Sequence, residues 1–124
     1  MKMALAIAMG GAIGALSRFW VSSWVYAKLG TAFPYGTLAV NIIGSLIMGF
    51  LYILFLERLS LDPVWRGIFL IGFLGAFTTF STFSLETMNL LELRSYGTAM
   101  LNIVISVVSC LSAAWLGMNI GRQL

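Results

Sequence analysis

The sequence predicts an all-α membrane protein of four transmembrane helices with a break in the third. Three observations carry that reading. Of 124 residues, 60% are hydrophobic and only 9% charged, whereas a soluble domain carries about a quarter charged residues. Mean hydropathy is +1.01. The charges that are present fall mostly between long apolar runs rather than inside them.

The first run extends over residues 3–29 and is interrupted only by Arg18; roughly 20 apolar residues are enough to cross the hydrocarbon core. The segment "GTAFPYG", Gly30 to Gly36, reads as a turn, with two glycines and a proline in seven residues. The second helix covers 37–56 and stops at Glu57 and Arg58. After the connection "LERLSLDP", Pro63 is placed to open the third helix, 64–91. Glu92 and Arg94 mark a tight turn before the fourth, 96–120, which leaves one four-helix transmembrane domain over 1–124. The start, "MKMALAIAMGGAIGAL", also has the positive and apolar regions of a signal peptide. The apolar run resumes after Arg18, however, and cleavage would leave only three helices.

Composition excludes several functions. There is no His, so both the usual proton shuttle near neutral pH and the commonest metal ligand are missing. No metal cluster or catalytic triad is present, and the chain is not read as an enzyme. A single Cys, Cys110, forms no internal disulfide. The net charge of +3 does not imply nucleic acid, because the seven basic residues are scattered at segment ends and form no basic face. With the N-terminus inside, that side carries Lys2, Arg58, Arg66 and Arg122, against Lys28 and Arg94 with Arg18 near the same end. Loop Lys and Arg set orientation, and so weak a bias permits insertion in both directions.

Small residues are spaced for close helix contact: Gly10 with Gly14, Gly117 with Gly121, and Ser45 with Gly49.

Polar material is concentrated in "GFLGAFTTFSTFSLET", Gly72 to Thr87. On a continuous helix at about 100° per residue, Phe80, Phe83, Ser84 and Thr87 share a face, with Thr79, Thr82 and Glu86 on the adjoining one. Six hydroxyls within ten residues, Thr78 to Thr87, are too many to be read as ordinary back-bonding to their own helix, and the column suits a pore lining. An intramembrane carboxylate such as Glu86 is costly and reads as functional, its alternative being an interfacial position near the helix end. "GAFTT" is a poor helix, since Gly75 is flexible and Thr78 and Thr79 are β-branched. Carbonyls freed by such a break bind cations, and Na⁺ fits here. In the second helix Thr37, Asn41 and Ser45 recur every four residues; in the fourth, Asn102, Ser106 and Ser109 share a face, with Cys110 at its margin. A lone buried Asn in lipid is either glue between helices or a ligand. These neutral donors, the positive edges of the phenyl rings and the absence of an acidic ring favour a small anion, with Arg18 gathering anions at a mouth.

The motifs "GTLAVNIIGS" in the second helix and "GFLGAFTTFSTFSLE" in the third resemble the Fluc (CrcB-like) fluoride channels of microbes, and an Arg within the first helix fits them. The resemblance covers the whole chain. It implies a passive fluoride-selective channel of the plasma (inner) membrane that exports F⁻ to relieve its toxicity. It further implies an antiparallel, dual-topology homodimer with two pores along the interface between protomers and a Na⁺ at the dimer centre. Carried over, the ring pair is Phe80 and Phe83 and the pore amide Asn41. Ser106 is a pore hydroxyl, Thr82 and Glu86 continue a polar track, and Arg18 lies toward a vestibule. The Na⁺ carbonyls belong to Gly75 and Thr78. The fourth helix departs from the family pattern: Asn102 stands where a tyrosine is expected, and Cys110 where a second hydroxyl would follow Ser106. The competing reading is a proton-coupled cation exporter of the small multidrug-resistance type, but that mechanism wants a carboxylate in the first helix, where this chain has Arg18. A holin-like structural protein would explain the glycines but not Asn41 beside the hydroxyls.

Overall fold

The computed structural model describes residues 1–124 and is helical throughout, with four stretches long and apolar enough to cross a membrane: Lys2–Leu29, Tyr35–Arg58, Pro63–Glu92 and Tyr96–Gln123. The first, second and fourth are α1, α2 and α5. The third contains two helical pieces, α3 (63–77) and α4 (Phe80–Glu92), with Thr78 and Thr79 between them. Those two residues have extended backbone, φ −86° and ψ 157° at Thr78, φ −152° and ψ 115° at Thr79.

Local chemistry sets most of the ends. α1 stops at Gly30, whose φ of 86° lies where an L side chain is rarely tolerated; its N–H returns to Tyr26 O at 2.8 Å. α2 starts at Tyr35, two residues before the expected Thr37, because Gly36 is in its first turn. A Cβ there would lie 2.3 Å from a Tyr26 ring carbon, so the glycine is spent on admitting that ring rather than on a turn. Asp62 caps α3, accepting from Val64 N at 2.9 Å, with Pro63 in the first helical position. Arg94, at φ 60°, forms the left-handed cap after α4, where Ser95 N bonds to Leu90 O at 2.8 Å. Two stretches, Leu54–Arg58 and Gly67–Leu74, are wound with i→i+5 hydrogen bonds, a widening that hydropathy does not reveal.

The helices pack as two close pairs, α1 on α3 and α2 on α5, joined through α1 and α2. Small residues make both seams. Gly10 and Gly14 lie against the backbone of Ile68 and Phe73; Gly49 lies against Ala114, Gly117 against Leu46, and Gly121 against Phe50 and Ile53. Helix association in lipid depends on such packing because burial from water contributes nothing. A Cβ at Gly117 would sit 2.1 Å from Leu46 O, whereas at Gly97 nothing lies within 4 Å. Gly117→Ala is therefore expected to destabilise the folded protein by about 1–3 kcal/mol, and Gly97→Ala to leave it unchanged or slightly more stable. Thermal unfolding in detergent micelles compares them; equal midpoints for the two would show that the α2–α5 seam yields without cost.

The chain ends and the α2–α3 connection gather at one side. Lys2 Nζ is 4.0 Å from Asp62, Arg122 Nε is 3.7 Å from Glu57, and the Arg58 guanidinium donates to Arg122 O. These exposed pairs add little stability, but they place Lys2, Arg58 and Arg122 at the same end of the bundle.

Candidate functional site

A cavity of about 400 Å³ opens between α2, the Thr78–Thr79 segment, α4 and α5. Asn41, Thr79, Phe80, Phe83, Ser106 and Cys110 are among its lining, and none of its lining residues is charged. Asn41 is fixed by its neighbour's backbone: Nδ2 donates to Thr79 O at 3.0 Å and Oδ1 accepts from Thr79 N at 2.8 Å. One amide N–H remains beyond that pair of bonds. The Phe80 and Phe83 rings are 5.4 Å apart, tilted by 40°, and Phe80 is 77% exposed on the open side of the cavity.

The Thr78–Thr79 segment redirects backbone hydrogen bonds. In a continuous helix the N–H groups of Thr79 and Thr82 would serve the carbonyls of Gly75 and Thr78. Here Thr79 N donates to Asn41 and Thr82 N to Thr79 Oγ1 at 3.1 Å. Thr79 is thus the N-cap of α4, not a member of its helical face, and its hydroxyl also donates to Thr82 Oγ1 at 3.0 Å. Thr79 therefore leaves the face that a continuous helix over residues 75–87 would give it. Ordinary back-bonding also claims more hydroxyls than expected: Thr78 donates to Leu74 O, Ser84 to Phe80 O and Thr87 to Phe83 O, at 3.0, 2.9 and 2.8 Å.

The remaining candidates separate. Ser106 lines the cavity and donates to Asn102 Oδ1 at 3.3 Å; Asn102, only 1% exposed, donates to Thr87 Oγ1 at 2.9 Å and so ties α5 to α4. Glu86 opens into a second cavity, about 340 Å³, between the end of α1, the 31–34 turn and α4. Its Oε2 accepts from Tyr26 Oη at 2.6 Å and its Oε1 from Thr37 Oγ1. Thr82 and Arg18 line neither cavity. Arg18 is half-buried on α1, and its guanidinium has no ion pair. Sequence reasoning missed Tyr26. The available signal was its position one turn before Gly30, which sets it opposite Thr37 across a short turn between antiparallel helices.

Residues 5–118 match the family model described as CrcB-like protein, Camphor Resistance (CrcB). The chain belongs to the CrcB family. Within that setting it is 54% identical over 116 residues to the fluoride-specific ion channel FluC of Magnetococcus marinus, covering 94% of each chain. It is 53% identical over 121 residues to the protein of the same name from Coxiella burnetii (strain CbuK_Q154), covering 97% of this chain and 98% of the relative. The FluC of Methylococcus capsulatus is 54% identical over 119 residues, and there the match covers 96% of this chain but 52% of the relative, so the chain spans about half of that protein's length.

Proposed function

We propose that the chain is a passive fluoride-selective channel and not an enzyme, exporting F⁻ across the plasma (inner) membrane to relieve its toxicity. The observation that carries this is the chemistry of the larger cavity. Its donors and ring edges can replace part of an anion's hydration, and it holds no fixed positive side chain that would retain the ion. The N-terminus of α4, the 13-residue helix capped by Thr79, adds the positive end of a helix dipole beside it. The names of relatives 53–54% identical support the same reading. Phe80, Phe83, Asn41 and Ser106 would contact the ion; Thr82 would support the cap of α4; Glu86 would lie on a continuation of the path and Arg18 toward its mouth. The small multidrug-resistance reading is not favoured: α1 has no carboxylate in its length, and the carboxylate of Glu86 is already engaged by two hydroxyls. Fluoride efflux from liposomes containing the purified protein is the test, with chloride and a cationic dye as comparators. Proton-driven dye efflux without fluoride flux would reject the channel.

The functional unit in this reading is an antiparallel homodimer with two pores, and the Thr78–Thr79 break of the third helix is where a Na⁺ binds. Gly75 and Thr78 have each lost the N–H that a continuous helix would supply, and hard oxygen donors of that kind suit Na⁺. Two carbonyls are few for a cation; an inverted second copy, on a two-fold axis, would double them. The Na⁺ would hold the two breaks together and take no part in moving F⁻. The weak Lys/Arg asymmetry allows both orientations. A tag placed after Leu124 is expected to be labelled comparably from both sides of intact cells. Labelling from one side alone would mean parallel subunits, and the shared Na⁺ site would be lost with the inverted pair.

A further inference from the structure

We infer that Tyr26 is a positioning residue of the conduction path, holding the Glu86 carboxylate against the α1–α2 wall so that its charge does not obstruct a passing anion. The inference rests on the fluoride-channel reading above. Glu86 is the one acidic residue away from the span ends; Glu57, Asp62 and Glu92 all lie at or between them. It is also the only charged residue lining the second cavity, which it shares with Tyr26, Thr31 and Asn89. A carboxylate on an anion's route repels it. That repulsion is stronger in a site partly shielded from water than in bulk solvent. The direction in which this side chain is held therefore governs the rate.

Both oxygens are held from the same wall. Tyr26 Oη donates to Oε2 at 2.6 Å, and Thr37 Oγ1 donates to Oε1. Tyr26 Oη in turn lies 3.3 Å from Thr37 Oγ1 and accepts from Thr37 N at 3.4 Å, so the two donors are set relative to each other as well. The tyrosine ring has little freedom. It fills the space left by the missing side chain of Gly36, where a Cβ would meet Cε2 at 2.3 Å and Cδ2 at 2.5 Å. This hydroxyl is the one side-chain hydrogen bond from α1 to Glu86.

Tyr26→Phe keeps the ring and removes the bond. Fluoride efflux from liposomes is expected to fall about tenfold or more, the scale of one hydrogen bond to a charged group, in protein that assembles as the wild type does. In a Glu86→Gln background the same change is expected to have no further effect, because the charge it directs is gone. The infrared carboxylate band assigned by its loss in Glu86→Gln is expected to shift in Tyr26→Phe, which gives a readout even if Glu86→Gln conducts poorly. Unchanged flux, an unshifted band, equal losses in both backgrounds, or a Tyr26→Phe protein that fails to assemble would each overturn the positioning role. A wild type that carries no fluoride would instead refute the channel itself, an outcome visible before any variant is compared.

Discussion

Asn41→Asp is expected to lower fluoride flux by about a hundredfold or more in protein that still assembles. The two side chains are nearly isosteric, so the effect would come from chemistry. In the native arrangement the Asn41 amide closes a two-bond ring with one backbone residue, donating to Thr79 O and accepting from Thr79 N. Aspartate keeps the second bond but sets an oxygen where the amide nitrogen was, 3.0 Å from the Thr79 carbonyl, leaving two acceptors facing each other at a cost of about 1–3 kcal/mol. It also removes the amide N–H left free by that pair, which the channel reading assigns to the anion, and adds a negative charge to a cavity lined by no charged residue. Repulsion of about 4 kcal/mol at 4 Å and an effective dielectric constant of 20 would by itself exceed the hundredfold loss. Efflux from liposomes at matched protein content measures it. Normal conduction by Asn41→Asp would mean that Asn41 only joins α2 to the Thr78–Thr79 segment and that the donors lie elsewhere.

The four spans were legible because the property that defines them, a long apolar run, is local. So were Pro63 as a helix start and Gly10, Gly14, Gly117 and Gly121 as contact points, since each depends on the residue's own geometry. The hydroxyl face departs from helical spacing at one identifiable step. A constant turn of about 100° per residue holds only where the helix continues, and Thr79 lies outside it with φ −152°. That residue's capping of Thr82 is a local pattern and was available in "TTFST". Its pairing with Asn41 was not, because it joins positions 38 apart. The Tyr26–Glu86 bond, across 60 positions, was still further beyond reach: periodicity states which face a residue occupies but not what meets that face. Asn102 shows the same limit. As a buried amide it could be glue or ligand, and only its bond to Thr87 gives it a partner on the neighbouring helix.

Replacing Phe80 or Phe83 with Ile is expected to reduce fluoride flux by roughly tenfold or more at each position, about 1.4 kcal/mol or more in barrier height, without loss of assembly. Isoleucine retains most of the bulk but has no electropositive ring edge to offer an anion. The structure separates that effect from stability. Phe80 is 77% exposed and contributes little to the packing of its own chain, so a flux loss there cannot be assigned to a collapsed core. Phe83 is half-buried and tilted by 40° to Phe80, with ring centroids 5.4 Å apart, so the two rings flank the cavity as a pair and either substitution removes half of it. Phe80→Tyr is a useful contrast, because it keeps a ring edge while adding a hydroxyl, and it is expected to lose less flux than Phe80→Ile. The comparison requires variants with matched elution profiles and matched reconstitution. Wild-type flux from correctly assembled Ile variants at both positions would remove the rings from the mechanism and leave Asn41, Ser106 and the capped end of α4 to carry anion recognition.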